Sequence, residues 1–451
     1  MAMSHAGFRR LRVEQSLEVQ FDKLDDFFMI LLEILGALAP ELPRRWRPQR
    51  HGGHFSETQR HLPQQPRLPA TMGAVAIRAS QATMDGAHIS VPQVRSTMRI
   101  LYGVVGEGMG HATRSRVVIS HLLQAGHTVH VLVSGRAHDM LSKHFQGVHR
   151  VHGWHLVYDD NEVQKRRTAW SNLTELVHDA PMLANAWRQL EDFRPEVVVS
   201  DFESWTYAYA QAHHIPVISV DNMQIINRCK HEDALLVDRM AEFLLAKGIV
   251  KTKLPGAYHY VVTTFFYPPV RKERTTLVPP ILRPEVLAAH ASRGDAVVVY
   301  SSADGGDALP NLLKQFPNQR FLLYGIRRGL SEVQVDGNLA YQPFSETGFI
   351  DHLAAAKAVI AGGGFSLLSE AVYLHKPVLS VPLVGQFEQI LNARYLQHLG
   401  WGLCRETVTK QDVAELLDRS SALAAAMDSY EQDGNRVLFD TLDGLLQQAV
   451  G

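Results

Sequence analysis

From Met98 onward, short unbroken apolar runs alternate with longer segments whose apolar positions recur at helical spacing. Runs such as VVVS and AVVVY have no polar alternation, which suits strands buried on both faces of a parallel sheet. Strands are predicted at Arg99–Val105, Thr128–Ser134, Glu196–Asp201, Pro216–Asp221 and Tyr260–Phe266, and again at Ala296–Ser302, Arg320–Gly325, Leu339–Phe344, Ala358–Gly362 and Val378–Pro382. Helices fill the gaps, among them Thr113–Ala125, Thr174–Phe193 and Leu367–Leu374. Strand–helix alternation predicts an α/β fold with doubly wound sheets. Residues Pro268 to Pro284 (PPVRKERTTLVPPILRP) carry Pro268, Pro269, Pro279, Pro280 and Pro284 and read as a linker. The body thus divides into two units, 98–275 and 276–451, facing a cleft.

Residues 1–97 differ. Pro43 to Arg67 is rich in Arg, His, Gln and Pro and follows no structural period. One amphipathic helix near Leu17–Leu38 precedes it. The expectation is a largely disordered extension or a start-site artefact with Met98 as initiator. The longest apolar run there, Phe27–Ala39, is 13 residues with Glu33 inside it, short of the ~20 that span a bilayer. An Asp25-Asp26 pair stands before it, where a secretory signal carries positive charge.

Charge narrows the partners. With 45 Lys+Arg against 46 Asp+Glu and no long basic block, a sequence-independent nucleic-acid binder is disfavoured. Cys229 and Cys404 are the only cysteines, too few for a disulfide framework or a four-cysteine zinc site, and they fit a reducing compartment. A cytoplasmic location follows, with at most peripheral association at the inner face of the membrane.

Two glycine turns carry the candidate chemistry. The first predicted strand runs into Gly106, Glu107, Gly108, Met109, Gly110 and His111 and then a helix. Glycines at such a turn admit a ligand to the backbone, and a helix N-terminus favours an anion. A dinucleotide fingerprint needs G-x-G-x-x-G and a carboxylate ending the second strand; here the glycines stand at 106, 108 and 110, and the second strand ends Ser134-Gly135-Arg136. His111 sits in the first helical turn, facing the cleft, where an imidazole can act as general base. The second turn, Gly362-Gly363-Gly364-Phe365-Ser366, again joins strand to helix and suits a phosphate or diphosphate. Glu370 follows a turn and a half into that helix. Gln386, Glu388 and Gln389 follow the next strand, at the carboxyl edge where α/β sheets bind ligands.

These residues resemble the GT-B glycosyltransferases, in the branch of the lipid II-forming N-acetylglucosaminyltransferase and the diacylglycerol glycosyltransferases. They are most like a bacterial and archaeal family that opens on a GEGxGHxxRS loop. The resemblance is carried by GEGMGHATRS (Gly106–Ser115), VVVSDFESW (Val197–Trp205), IPVISVDNMQ (Ile215–Gln224), VPPILRPEV (Val278–Val286) and the stretch Gly362–Gly400. It covers about Met98 to Gly400. It implies two Rossmann-like domains, an acceptor domain (98–275) and a nucleotide-sugar domain (276–451). It implies that Gly363, Gly364, Phe365 and Ser366 contact the diphosphate and Glu370 the ribose, and that backbone near Phe344 and Ser345 reads the base. Glu388, Gln389 and Asn392 would meet the donor sugar or close the site, with Gln386 in the same loop. Ser301 and Ser302 are further phosphate candidates. The loop of Gly106, Glu107, Gly108 and Gly110 falls on the acceptor side, with His111 as base and Asp201 or Glu203 as rival base or histidine partner.

Retaining GT-B enzymes commonly carry two glutamates eight residues apart in this region. Glu370 would be the second, and the earlier position is Gly362. That implies inversion, with leaving-group charge met by loop amides and a helix N-terminus. No D-x-D, HExxH or C-x-x-C motif occurs, so no metal and no cofactor are expected. His213-His214 reads as a helix end, and Trp154, Trp170, Trp187 and Trp205 as packing residues. The expected activity moves a hexose from a nucleotide-sugar, UDP-linked in this branch, to a glycan, lipid or small-molecule hydroxyl. A GT-B-shaped sugar-nucleotide epimerase and a non-catalytic sugar-nucleotide binder are the alternatives.

Overall fold

The structure, a computed structural model, describes residues 97–106, 109–151, 185–301, 307–327, 329–343 and 345–451, together with the backbone of 158–159 and 162–163. The expected extension, residues 1–97, lies outside this range apart from Thr97. Its strands are β1 Arg99–Val104, β2 Thr128–Ser134, β3 Val148–Val151, β4 Tyr158–Asp159, β5 Glu162–Val163, β6 Val197–Asp201, β7 Val217–Asp221, β8 His259–Thr263 and β9 Thr275–Val278, then β10 Val297–Tyr300, β11 Phe321–Tyr324, β12 Gln334–Asp336, β13 Leu339–Tyr341, β14 Ala358–Ala361, β15 Val378–Ser380 and β16 Gly402–Cys404.

They build two seven-stranded sheets, ordered β3-β2-β1-β6-β7-β8-β9 and β12-β13-β11-β10-β14-β15-β16, plus an antiparallel β4-β5 pair. The first sheet is parallel throughout. In the second, only β12 runs antiparallel. Each sheet therefore has one place where strand order reverses, between β1 and β6 in the first and between β10 and β14 in the second. Ligands of open α/β sheets bind beyond the carboxyl ends of the strands at such a reversal. Both glycine turns start there, one after β1 and the other after β14.

Each sheet has its own core. Ile100, Tyr102, Val104, Val131, Val199 and Val220 of the first sheet pack with Val118, Ile119 and Leu122 of the helix Met109–Gln124. Val299, Leu323, Ile360 and Leu379 anchor the second, against Val413, Leu416 and Leu423. Two features depart from the sequence reading. The 268–284 segment contains β9, because Thr275–Val278 lies between its prolines and pairs in parallel with β8 at the sheet edge. The last helix, Arg436–Val450, returns to the first sheet, where Leu438, Leu442, Leu445 and Leu446 join its core. Of the predicted helix Thr174–Phe193, residues 185–193 are helical and the earlier part lies outside the described residues. No helix among the described residues is long and apolar enough to cross a membrane.

Candidate active site

Asp201 is the last residue of β6 and stands beside Val104 of β1. The next residue, Phe202, has φ +58°, a left-handed conformation that costs a bulky side chain about 1–3 kcal/mol. The two carboxylates on either side of it do different jobs. Glu203 accepts from the Trp205 N–H at 2.8 Å and the Thr206 N–H at 2.7 Å, so it caps the helix Ser204–His213. Asp201 is completely buried and receives Arg114 Nε at 2.8 Å and Nη2 at 2.5 Å, Ser115 Oγ at 3.2 Å, and His111 Nδ1 at 3.0 Å. Glu203 is thereby committed to the backbone, and Asp201 is the histidine partner.

Burial alone would raise the Asp201 carboxyl. Arg114 and His111 outweigh that effect and hold it at about 2. A carboxylate that acidic is a poor general base at neutral pH, but a strong orienting acceptor. His111 is the side chain that Asp201 orients. Its Nδ1 also lies 2.6 Å from Arg114 Nη2. These two neighbours select opposite tautomers: the carboxylate favours an Nδ1–H, whereas the guanidinium favours an unprotonated Nδ1.

The second lobe meets this group directly. A Cβ on Gly110 would stand 2.6 Å from Ser366 Oγ, so the two helix N-termini approach closely here and a side chain at 110 would make Ser366 turn away. Gly106 is required for another reason, since a Cβ there would lie 1.8 Å from the Ser134 carbonyl oxygen. Gly363 fits closely under the backbone oxygen of Gln389, at 2.3 Å from its would-be Cβ, whereas a Cβ on Gly364 would meet nothing within 4 Å. The helix Phe365–Tyr373 starts at Gly364 without a side-chain cap or an acidic residue in its first turn. Its uncapped amides and dipole form an anion-binding end.

Gln389 Oε1 accepts from Gly363 N at 3.3 Å and Leu383 N at 3.1 Å, and its Nε2 donates to Gln386 Oε1 at 3.2 Å. It thus fastens the glycine turn to the following loop. Asn392 Nδ2 donates to the Gly363 carbonyl at 3.1 Å and to Glu388 Oε1 at 2.5 Å. Glu388 crosses the cleft, accepting from Asn222 Nδ2 at 2.6 Å, while Asn222 Oδ1 accepts from Arg114 Nη1 at 2.9 Å. Burial raises the Glu388 carboxyl, opposed by the two asparagine amides and by the charges of His111 and Arg114.

Other expected residues stand further off. Glu370 is 5% exposed, and both its oxygens are held by Arg283, Nε at 2.8 Å and Nη2 at 2.9 Å. Burial raises its carboxyl against that guanidinium. Ser301 follows β10, its N–H bonded to the Tyr324 carbonyl at 3.1 Å. Ser345 caps the helix Glu346–Ala354 by accepting from Gly348 N at 3.1 Å. Glu107, Gly108, Ser302 and Phe344, with Trp154 and Trp170, lie outside the described residues. Trp205 is buried and Trp187 packs edge-on against Tyr209. His214 is the left-handed C-cap of its helix and His213 stacks on Tyr209. Among the described residues, no group of three or more His, Cys, Asp and Glu is arranged to hold a metal ion.

Sequence reasoning gave no role to Arg114, Asn222, Asp221 or Arg283. The signal for Arg114 was its i+3 spacing from His111 on one helix face. Asp221 is fully buried at the end of β7 and is lifted to about 6, chiefly by burial and secondarily by Asp201, against hydrogen bonds from Ser219 and the Gln224 N–H. Its folded value lies above the usual one, so the native state keeps a proton that the unfolded chain has released. Stability is then expected to fall as pH rises from about 4 to about 6. Asp201 has the opposite sign, and its contribution is lost as pH falls from about 4 to about 2. Each window is worth about 2–3 kcal/mol. Urea midpoints across this range should peak near pH 4, and Asp221→Asn should flatten the higher limb.

Comparison with known proteins shows the family and the fold. Residues 98–420 match the family model described as glycosyl transferase family 1. An uncharacterised glycosyltransferase of Methanosarcina mazei is 23% identical over 357 residues, covering 68% of this chain and 85% of that protein. One of Methanopyrus kandleri is 27% identical over 247 residues, covering 50% and 68% respectively. Among solved structures, the calicheamicin glycosyltransferase CalG4 matches with a TM-score of 0.56 at 17% identity, over 79% of this chain and all of that one. A UDP-glucosyltransferase from Polygonum tinctorium matches at 0.54 and 14%, over 78% and 99%. These structural likenesses concern the fold, two Rossmann-like domains in the GT-B arrangement. The chain is a glycosyltransferase and belongs to glycosyl transferase family 1.

Proposed function

We propose that this glycosyltransferase is inverting and metal-independent, and that it moves a hexose from a UDP-sugar to an acceptor hydroxyl with His111 as base. The observation that carries the proposal is the His111–Asp201 contact, in which the carboxylate is locked as an anion by Arg114 and Ser115. His111 Nε2 takes the acceptor hydroxyl proton while Asp201 holds Nδ1–H. The acceptor oxygen forms its bond to the anomeric carbon as the bond to the diphosphate oxygen breaks. The diphosphate leaves with the electron pair, facing the uncapped amides at Gly364, Phe365 and Ser366. Asp201 stabilises the resulting imidazolium, as an orienting carboxylate does in hydrolase triads.

The donor reading rests on the open turn at Gly364, with Gly363 and Ser366 in the same turn, and Ser301 and Ser302 would be further phosphate contacts. Ser345 and Phe344 backbone would read the base, and Gln386, Glu388, Gln389 and Asn392 would line the sugar. The ribose contact is assigned to Glu370, whose two oxygens are held by Arg283. The division into an acceptor domain built on the first sheet, with β9 and the last helix, and a donor domain built on the second sheet is part of this proposal. So are the UDP donor, the branch of lipid-modifying enzymes and peripheral attachment at the inner membrane face.

Gly364 gives a clean test. Its added methyl would meet no protein atom, so Gly364→Ala should fold with stability within about 0.5 kcal/mol of the parent. The methyl would occupy the ligand's space, and UDP affinity should drop about tenfold or more. A thermal-shift screen of UDP-, GDP- and TDP-sugars against both proteins reads the two effects together, since a ligand that binds the native state raises apparent stability. Equal shifts for the parent and the variant would remove the turn as the diphosphate site.

A further inference from the structure

The buried polar groups at the cleft form one continuous chain. It runs from Asp201 through Arg114 Nη1 to Asn222 Oδ1 at 2.9 Å, from Asn222 Nδ2 to Glu388 Oε1 at 2.6 Å, and through Asn392 to the Gly363 carbonyl at 3.1 Å. Asn222 is 3% exposed. A guanidinium only donates and an ionised carboxylate only accepts, so the group between them must present both an acceptor and a donor. An amide does so, and its orientation is then fixed. The other end of Arg114 is the group that competes with Asp201 for His111 Nδ1, at 2.6 Å against 3.0 Å.

We infer that Arg114, Asn222 and Glu388 are positioning residues that arm the base, by coupling contact between the lobes to the tautomer of His111. With Asn222 bonded to Glu388, its oxygen is turned to Arg114 Nη1 and holds the guanidinium on Asp201. His111 then donates Nδ1–H to the carboxylate and presents a bare Nε2. When the bond across the cleft is broken, the Asn222 amide is free to rotate and Arg114 Nη1 loses its fixed acceptor, so the guanidinium is held on Asp201 through Nε and Nη2 alone and can tilt toward His111. Its Nη2 then donates to His111 Nδ1, which moves the ring proton to Nε2 and disables the base. Gly363 belongs to the same chain, so the state of the donor turn is felt at the acceptor side. The inference rests on the assignment of His111 as base, and it explains why an amide and a buried arginine accompany that histidine.

The pair can be rewired. In Glu388→Ala, the bond across the cleft is lost and the Asn222 amide is free to turn. In Glu388→Gln, Oε1 still accepts from both Asn222 and Asn392, so the bond survives. In the double variant, Asn222→Asp with Glu388→Ala, Arg114 Nη1 faces a carboxylate that accepts in either orientation, so the guanidinium is held without a partner across the cleft. The probes are the imidazole nitrogen shifts of His111 in labelled protein, recorded without ligand and with UDP, alongside UDP affinity by calorimetry. The wild type should carry its proton on Nδ1. Glu388→Ala should move the tautomer ratio toward Nε2–H by about tenfold, a typical coupling for groups in contact. Glu388→Gln should leave it as in the wild type, and the double variant should recover most of the change. His111 shifts that are identical in all four proteins, or a double variant no better than Glu388→Ala, would overturn the relay. Glu388→Gln guards against misfolding, because it keeps the shape and the acceptor oxygen of the less buried partner. The donor reading is scored separately: UDP binding with no tautomer coupling removes the relay alone, and tautomer coupling without UDP binding removes the UDP assignment alone.

Discussion

Asp201→Asn should cost this protein both turnover and stability. The amide cannot balance Arg114, which is left in the core without its counter-charge, and breaking a buried pair in this way costs about 3–5 kcal/mol. Catalysis should fall by about 10⁴-fold, as expected when the group that orients a basic histidine loses its charge. His111→Ala separates the two effects. Its side chain is partly exposed, and its removal leaves the Arg114–Asp201 pair in place, so the fold should persist with UDP affinity within about twofold of the parent. Turnover should still drop about 10²–10⁴-fold, the usual worth of a positioned general base. Urea titration and calorimetry with UDP check the stability and affinity, and initial rates check the turnover. An Asp201→Asn protein that keeps full stability would show that Arg114 is balanced elsewhere.

The second large effect belongs to Arg283. Both Glu370 oxygens rest on it, and both side chains are nearly excluded from solvent. Arg283→Ala strands a buried carboxylate and should lower stability by about 3–5 kcal/mol at pH 7. Burial already raises the Glu370 carboxyl, and without its partner it should take up a proton more readily still. The deficit should therefore shrink as the pH is lowered toward 5. Combining Arg283→Ala with Glu370→Gln removes the stranded charge and should recover part of the loss. Denaturation of the three variants at both pH values reads this directly. A deficit independent of pH and unchanged in the double variant would assign the loss to packing around Arg283.

What could be read from the sequence was what is local. VVVS and the three valines of AVVVY are buried because every one of those residues is apolar or small, whereas Tyr300, which ends the second run, is exposed; the glycine turns announce themselves at the ends of such strands. His111 is visible because it follows one of those turns. β9 was hidden because its four residues, Thr275–Val278, sit between prolines and gain their pairing from an edge position. The helix Arg436–Val450 has an evident apolar face, yet no periodicity says which of two sheets it will cover; it covers the first. The candidate site shows the same limit. Asp201 and Glu203 were equivalent in sequence, and only the turn at Phe202 sends one to the histidine and the other to a helix cap. Glu370 looked free because its partner lies 87 positions earlier, and Asn222 meets Glu388 across 166 positions. Buried polar pairs of this kind are set by how the lobes meet, which no local pattern encodes.

The central claim is that His111, held by Asp201, removes the acceptor proton without a metal. The most direct measurement is transfer of labelled sugar from the nucleotide-sugar chosen by thermal shift, incubated with and without cell extract in the presence of EDTA. Wild-type protein should move label to an extract component, with inverted anomeric configuration, at a rate EDTA does not change, and His111→Ala should leave the label on the donor. Undiminished transfer by His111→Ala would refute the account.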